Sequence, residues 1–389
     1  MKFGSVFTIS VAGLLKVTFL VGPEVLAHFF QGLESEISHG NLFELTVPMF
    51  GKEIAHGVDN ATRIEQGRFF VDALKPTRLR IHVGPMVQEV EDYFANWGQY
   101  GTVDLKHELE QLLLLISGRC LLGKEVIATK FEEVCSLFHE IENGVNLMSV
   151  FFPYTPIISS NRRRDRAREK LHAIFTDIVR SRKQQQGDQV DKDVLQSLID
   201  SRYRFDGRAT TEAEGDQVNK DVLQSLIDSR YRVDGRSTTE TEVAGLIICL
   251  LFAAKHTSTY TSVWTGARLL SHGKFRTAAV DEQDRIVGKH NGRITDHYSS
   301  LTEMHTLHSC IKETLRLHPP APVLVRTAHK QFTVRTREGH EYVVPAGHTL
   351  ASPILINNHV PHIYKDAHLY DPDRFVPGRE EHKIVVSVA

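Results

Sequence analysis

The sequence is poor in cysteine and tryptophan and has no excess of charge of either sign. Its 389 residues include 4 cysteines, 2 tryptophans, 46 basic and 48 acidic residues, which give a formal net charge of −2. A charge this close to zero argues against a protein that binds nucleic acid through a basic surface. The four cysteines include no Cys-x-x-Cys pair, so they indicate a reducing compartment rather than a disulfide framework.

Long apolar runs are also missing. Nowhere do about 18 apolar residues follow one another without interruption, so the sequence predicts no membrane-spanning helix. The composition, 41% hydrophobic and 24% charged, is that of a globular protein. Lys2 ahead of apolar residues resembles a signal peptide. Residues 7–11 and 17–21 instead alternate between apolar and polar around a turn at Ala12-Gly13, which predicts a pair of strands.

Histidine is abundant, with 21 residues, but no zinc motif accompanies it. His139-Glu140 is followed by Asn143 and therefore fails the His-Glu-x-x-His pattern. The pairs His305/His308 and His359/His362 have no further ligands at metal-site spacing. We predict no metal site formed by the side chains, and a histidine-metal hydrolase is the least favoured function.

Hydrophobic periodicity indicates a mainly α protein with a small β-sheet subdomain. After a helix at 24–32 and a loop at 47–51, helical patterns run almost continuously to about residue 152, and His107 to Cys120 predicts a fully buried helix. From Phe332 the period changes to two, and a turn leads into Glu341 to Val344, which predicts a strand pair. Residues 361–378 predict an ordered meander, and we take residues 1–389 as a single domain.

A direct repeat lies in the middle of the chain. Residues 187–214 recur as residues 215–242, with differences only at 191/219, 205/233, 209/237 and 213/241. Repeat architectures need about three stacked units, so two near-identical copies indicate a tandem duplication. We predict short amphipathic helices at Lys192 to Tyr203 and at Lys220 to Tyr231, one packed on the body of the protein and one looped out.

A capping argument indicates which copy precedes a long helix. Thr239 and Glu242 form a Thr-x-x-Glu capping box directly before an apolar run, whereas Thr211 and Glu214 are followed by Gly215-Asp216. About thirty residues from Glu240 therefore predict one helix, on the order of 45 Å long. Its middle is polar from Lys255 to Thr259. These side chains either bond to carbonyl groups one turn back or form a notch that faces a cofactor.

Glu313 and Arg316 stand three residues apart on a helix that ends at Pro319-Pro320. The spacing alone means little, because Glu282 and Arg285 share it. The wider context, Ile311-Lys-Glu-Thr-Leu-Arg-Leu-His-Pro-Pro320 followed by Val325-Arg326 and Asp371-Pro-Asp-Arg-Phe375, resembles the cytochrome P-450 superfamily, specifically plant sterol 14α-demethylases of the obtusifoliol type. The resemblance covers nearly the whole chain.

The resemblance implies a cytochrome P-450 fold, a haem cofactor and the oxidation of a sterol methyl group with electrons from NADPH through a reductase. It implies an endoplasmic reticulum enzyme that acts as a monomer. The basic helix from Arg162 to Arg168 is either a solvated face or a surface that lies near a membrane or reductase. By position the resemblance assigns His256 and Thr257 to proton transfer, Arg68 and Arg326 to the haem propionates, Glu313, Arg316 and Arg374 to a structural network, and Phe50, Ile54, His56 and Ala253 to the sterol.

The sequence also departs from that family. Ala254 stands for a usual Gly, Lys255 for a usual Gln, and His56-Gly57 for an aromatic-Asp pair, so the oxygen side is expected to be narrower or wetter. No cysteine follows Cys310, and only residues 384–389 follow Lys383 where the family has its Cys-containing haem loop. The N-terminal anchor of the family is missing too.

We therefore expect a chain without a thiolate-ligated haem that is inactive as a monooxygenase. We also expect it to be at most peripheral at the membrane, with a cytoplasmic location as the alternative. The alternative function is a non-catalytic helical protein that binds a lipid or a protein partner.

Overall fold

The computed structural model describes residues 4–11, 13, 15–39, 46–75, 80–144, 154, 159–202, 222–290 and 298–383. The chain divides into two compact units. Unit 1 contains residues 1–42, 257–294 and 299–389, and unit 2 contains residues 43–256 and 295–298. The organisation of residues 1–389 as one domain stays a prediction.

Unit 1 contains the β-structure. One sheet has five strands in the order β1-β2-β7-β4-β3, in which β2 and β7 run parallel and the other neighbours antiparallel, and β5 pairs with β6 in a hairpin. The predicted strand pairs near the N-terminus and at residues 332–344 are both confirmed. The strands are β1 (Val6–Val11), β2 (Leu15–Leu20), β3 (Ile37–Ser38), β4 (Leu324–Ala328), β5 (Phe332–Arg335), β6 (Glu341–Val344) and β7 (Thr349–Ser352).

Most of the described chain is helical. The predicted helix after Gly22-Pro23 is present, and the predicted meander at residues 361–378 is a series of turns with a 3-10 turn at Pro372–Phe375. The helices are α1 (Pro23–Gln31), α2 (Val47–Phe50), α3 (Asn60–Ala73), α4 (Val83–Phe94), α5 (Leu105–Leu122), α6 (Lys124–Asn143), α7 (Ser159–Arg202), α8 (Val222–Ile227), α9 (Glu240–Ser271), α10 (Gly273–Lys289), α11 (Tyr298–Thr302), α12 (His305–Leu317) and α13 (Ile354–Asn357).

Two local predictions in unit 2 were wrong. Residues 47–50 form the helical turn α2 rather than a loop, because Pro48 favours the first turn of a helix and Gly51, at φ 112°, ends it. The helix predicted around residues 107–120 is α5, capped by Asp104, but it is not fully buried. Leu112 and Leu114 are buried, whereas Leu113, Leu115 and Ile116 are half-buried, because an apolar run in a helix points in every direction.

Helix α9 is the predicted long helix, and its cap is confirmed. The backbone N–H of Thr239 donates to Glu242 Oε2 at 2.7 Å, and the N–H of Glu242 donates to Thr239 Oγ1 at 3.1 Å. The first turns of α9, from Val243 to Leu251, lie in the core of unit 2. By length and composition, helix α9 could cross a membrane. This is weak evidence for a membrane-spanning helix, because the core helices of soluble proteins pass the same test.

The two copies of the duplication take different structures. In the second copy the helix α8 is short, as predicted, and its Val222, Leu223 and Leu226 are no more than 2% exposed. In the first copy the backbone of residues 192–202 continues α7, so the prediction of a separate short helix was wrong there. Only Gly187 interrupts the helix-forming residues before it, at a cost of about 1 kcal/mol. Tyr203 lies outside the described residues, and the prediction that one copy is looped out stays a prediction.

Candidate functional site

The polar segment in the middle of α9 divides into an open and a buried face. Ala253, His256 and Thr257 are exposed, whereas Lys255 and Thr259 are buried. Successive residues of a helix point about 100° apart, so neighbours such as Lys255 and His256 face different surroundings. The side chains assigned to proton transfer thus lie on the open face.

An aromatic series connects the open face to α2. The ring of Phe50 packs edge-on against Phe252 at 5.5 Å between centroids, and Phe252 packs edge-on against His256 at 4.9 Å. Phe50 and Ile54 are buried in the core of unit 2. The sequence reasoning missed Phe252, which the i, i+4 spacing to His256 could have identified. Phe252 therefore connects the predicted sterol residue Phe50 to the predicted proton-transfer residue His256.

A buried amide holds the segment that follows α2. Ala55 adopts a left-handed conformation at φ 51°, and its N–H donates to Gln66 Oε1 at 3.0 Å. The Gln66 amide donates in turn to the Glu53 carbonyl and to the Tyr231 hydroxyl, at 3.0 and 3.2 Å. Gln66 on α3 is 2% exposed, so its hydrogen bond to the Ala55 N–H is shielded from water. This bond helps to offset the cost of the left-handed backbone conformation at Ala55. The same segment carries the half-buried His56, whose Nδ1 lies 3.4 Å from the Arg63 guanidinium.

Lys255 points away from the open face, into the bundle. Its ammonium lies 2.8 Å from Glu142 Oε2 on α6 and 2.9 Å from Glu110 Oε1 on α5. Burial disfavours the ammonium, but the two carboxylates outweigh that effect and raise the pKa of Lys255. Burial likewise opposes ionisation of Glu110, and the bond to Lys255 nevertheless lowers its pKa. Lys255 is therefore buried between helices, and the expectation that it wets the oxygen side stays a prediction.

The hydroxyl groups of the polar segment follow neither predicted arrangement throughout. Just after the segment, Thr261 Oγ1 donates to the Thr257 carbonyl at 2.7 Å, as expected for a side chain that bonds one turn back. Thr259 Oγ1 is buried and has no hydrogen-bond partner within the described parts of the chain. Among the described residues the segment thus contains the buried Thr259 hydroxyl and the exposed pair His256-Thr257.

The two arginines assigned to the haem propionates have other contacts. On α3 Arg68 is paired with Glu65 Oε2 at 2.9 Å and with Asp72 Oδ2 at 3.2 Å, and it donates to the Arg230 carbonyl at 2.7 Å. On β4 Arg326 lies over the Phe29 ring at 5.5 Å. Arg68 belongs to unit 2 and Arg326 to unit 1.

Glu313, Arg316 and Arg374 form a buried network in unit 1. The Glu313 carboxylate accepts two bonds of 2.7 Å from Arg316 and one of 3.3 Å from Arg374, and it also accepts from the Asp371 N–H at 2.9 Å. All three side chains are no more than 3% exposed. The network ties α12 to the meander, because Arg316 also donates to the carbonyls of Asn358 and Ala367. The near-complete burial of the three side chains agrees with a structural role, which stays a prediction.

The four cysteines lie on helices and carry free thiols. Burial raises the pKa of Cys120 to about 12 and that of Cys135 and Cys249 to about 11. Burial also raises the pKa of Cys310, on α12. Burial therefore disfavours the thiolate form of each cysteine when no metal is bound. Among the described residues no group of three or more His, Cys, Asp or Glu side chains is placed to bind a metal ion.

The basic start of α7 is divided between solvent and core. Arg162, Arg163 and Arg166 are exposed, whereas Arg164 is 1% exposed and pairs with Asp165 at 2.8 Å. A groove between α6 and α7 has an apolar floor that includes Leu137 and a rim that includes Arg163 and Arg166. Both interpretations of this helix remain open.

The comparisons with known proteins agree on one family. The profile described as Cytochrome P450 matches residues 1–388. Sterol 14-demethylase of Arabidopsis thaliana is 46% identical over 382 residues, 98% of this chain and 71% of that protein. Obtusifoliol 14-alpha demethylase of Sorghum bicolor is 46% identical over 98% of this chain and 70% of that protein. Lanosterol 14-alpha demethylase of Homo sapiens is 30% identical over 96% of this chain and 66% of that protein.

A solved structure supports the fold. The retinoic acid-bound cyanobacterial CYP120A1 superposes with a TM-score of 0.75 and covers 98% of this chain and 76% of that chain. The sequence identity is 20%, so this likeness concerns the fold alone. The predicted fold class, mainly α with a small β-sheet subdomain, is confirmed.

Proposed function

The chain belongs to the cytochrome P450 family, and on this premise we propose that it contains the sterol-binding site of a sterol 14-demethylase. The observation that carries the proposal is the aromatic series Phe50, Phe252 and His256, with centroid separations of 5.5 and 4.9 Å. It places apolar rings beside an exposed imidazole on α9. The relatives named as sterol and obtusifoliol demethylases support a sterol as the ligand.

The open face of α9 suits a rigid apolar ligand with one reacting group. Phe252 and Ala253 offer apolar surface, and such contacts contribute about 25 cal/mol for each Å² removed from water. His256 and Thr257 offer an imidazole nitrogen and a hydroxyl, which can hold or pass a proton beside that surface. Phe50 and Ile54 hold α2 and the following turn against α9, and so define one edge of the sterol site.

Haem, which the family implies, supplies the oxidation of the sterol methyl group when it is bound. The residues of this chain do not fit a thiolate-ligated haem. All four cysteines lie within helices and are buried or half-buried, and Arg68 is engaged by Glu65 and Asp72. We therefore propose that the polypeptide of residues 1–389, tested by itself, is not a competent monooxygenase.

The same observation favours a second candidate function. A helical protein that retains the sterol surface but offers no thiolate binds a sterol or another lipid without oxidising it. An NADPH-dependent reductase remains the partner that the family implies for the first function, and the exposed arginines of α7 are available for it. Both the endoplasmic reticulum location and the monomeric state stay predictions.

A carbon monoxide difference spectrum separates these functions. The purified polypeptide is incubated with haemin, reduced with dithionite and exposed to carbon monoxide. We expect no thiolate-type Soret band, because all four cysteines lie within helices and are buried or half-buried. A normal thiolate-type band would overturn the proposed inactivity. It would support the sterol 14-demethylase function and reject the function of a sterol-binding protein without oxidation.

Sterol binding tests the site itself. Equilibrium binding of tritiated obtusifoliol is measured for the unaltered polypeptide and for Phe252→Ala. We expect the substitution to weaken binding about tenfold, because a buried aromatic contact of this kind is worth 1.5 kcal/mol or more. The matched control is Tyr100→Ala, which removes an aromatic ring that is 94% exposed. Equal affinity for both variants would contradict the proposed site.

A further inference from the structure

Three charged side chains lie directly behind the open face of α9. Lys255, 6% exposed, bridges Glu142 and Glu110, which are 10% and 29% exposed. They come from three helices, α9, α6 and α5, and all belong to unit 2. The resemblance to the family predicts Gln in place of Lys255, so the ammonium is a feature of this chain.

The cluster has more carboxylates than ammonium groups. It contains two carboxylates and one ammonium, and the contact between them lowers the pKa of Glu110 and raises that of Lys255 against the effect of burial. The second oxygen of Glu142, Oε1, is buried and has no hydrogen-bond partner among the described residues. The nearest cationic candidate is His256 Nε2, 3.6 Å away.

We propose that Lys255 is a positioning residue that sets the proton affinity of His256 through the Glu142 carboxylate. Lys255 binds one carboxylate oxygen and leaves the other turned toward the imidazole. The ammonium partly neutralises the carboxylate, so the carboxylate stabilises the imidazolium less than an unshared carboxylate would.

Other titratable groups around the cluster do not replace Lys255 in this role. Lys106 on α5 and His139 on α6 act on Glu110. Cys135 on α6 stays neutral, because burial raises its pKa to about 11. Lys255 is the cation that binds the oxygen next to the one His256 faces.

The proposal is tested by NMR titration of the His256 ring protons in the polypeptide, with the resonance assigned by His256→Asn. We expect Lys255→Gln to raise the pKa of His256 by about half a unit, a threefold gain in proton affinity, since His256 is 57% exposed and the effect is screened. Lys255→Arg keeps the charge and is expected to keep the pKa. The control Lys130→Gln removes an exposed lysine from α6 that pairs with Glu133. An unchanged or lower pKa in Lys255→Gln would overturn the proposal.

Two further variants show whether Lys255 acts through Glu142. In a Glu142→Gln background, Lys255→Gln is expected to leave the pKa of His256 unchanged, and a persisting rise would refute the shared carboxylate. Glu110→Gln, at a partly exposed position, serves if Lys255→Gln does not fold. It frees Lys255 for Glu142, so the pKa of His256 is expected to fall, and a rise would count against the proposal.

The part of this inference that concerns catalysis rests on the proposed function, because it uses His256 in proton transfer. The titration itself needs neither haem nor sterol. A polypeptide that fails to bind obtusifoliol but shows the expected pKa changes would reject the proposed function and keep the role of Lys255, and the converse result would reject the role of Lys255 alone.

Discussion

Two buried ion clusters, one in each unit, are built in opposite ways. In unit 1 the Glu313 carboxylate is shared by the guanidinium groups of Arg316 and Arg374. Arg374 also pairs with Glu381, and Arg379 pairs with Glu381 and Asp371, so three positive charges meet three negative ones. Backbone carbonyls accept most of the remaining guanidinium N–H groups. In unit 2 the single ammonium of Lys255 meets two carboxylates, and one carboxylate oxygen has no hydrogen bond to any residue that the structure describes.

The difference separates a structural cluster from one that can respond to its surroundings. A buried cluster that is neutral and fully bonded has nothing to gain from a further proton, so its value lies in fixing α12 against the meander. A cluster with a net charge and an open acceptor attracts a proton or cation from the nearest exposed group. In unit 2 that group is His256, on the open face of α9.

Breaking the neutral cluster is expected to have the largest effect. Glu313→Gln leaves Arg316 and Arg374 buried without their shared carboxylate and should lower the free energy of unfolding by about 3–5 kcal/mol. Urea denaturation followed by circular dichroism measures this loss. The control Glu303→Gln removes a carboxylate that is 35% exposed and should cost less than about 1 kcal/mol. A Glu313→Gln variant as stable as this control would contradict the structural role.

Breaking the charged cluster is expected to cost less and to depend on pH. Lys255→Met leaves Glu110 and Glu142 facing each other and should cost about 2 kcal/mol at pH 7. The pKa of Glu110 is lowered from 4.5 in the folded protein, so its stabilisation is complete above that value and is lost as the pH falls through the folded pKa. The deficit of Lys255→Met should therefore shrink below about pH 4.5, since the carboxylates then take up protons.

Urea denaturation of the unaltered chain and of Lys255→Met, at pH 7 and at pH 4, provides the measurement. Lys130→Met, at an exposed pair on α6, is the control and should show almost no deficit at either pH. A deficit of equal size at both pH values would mean that lost packing, and not charge, dominates at Lys255.

The sequence predicted what depends on neighbours along the chain and missed what depends on distant contacts. The strand pair near the N-terminus, the Thr239–Glu242 cap and the length of α9 each follow from spacings of a few residues, and the structure has all three. The burial of Lys255 depends on Glu110 and Glu142, which lie 145 and 113 residues earlier in the chain. A local pattern shows that a polar segment interrupts α9, but not which of its side chains faces the bundle.

The candidate site divides along the same line. The resemblance named His256, Phe50 and the Glu313 network, because those residues stand in recognisable motifs. Phe252, Gln66 and Glu142 were missed, since each acts through a side-chain contact with another element. Arg68 shows the converse case: its motif was recognised, but acidic side chains three residues before and four after it are close enough on the helix to bind its guanidinium.

The smallest effect is expected at a third ion cluster, where solvent screens the charges. Arg236 makes two bonds to Glu242, of 2.9 and 3.0 Å, and lies 3.8 Å over the Tyr231 ring, but it is 42% exposed. Arg236→Gln should therefore lower the free energy of unfolding by only about 1 kcal/mol. The duplication supplies a matched control, since Arg208 occupies the same position in the first copy. If the second copy alone packs against α9, Arg208→Gln leaves the urea midpoint unchanged; equal losses for both variants would show that the copies share the site.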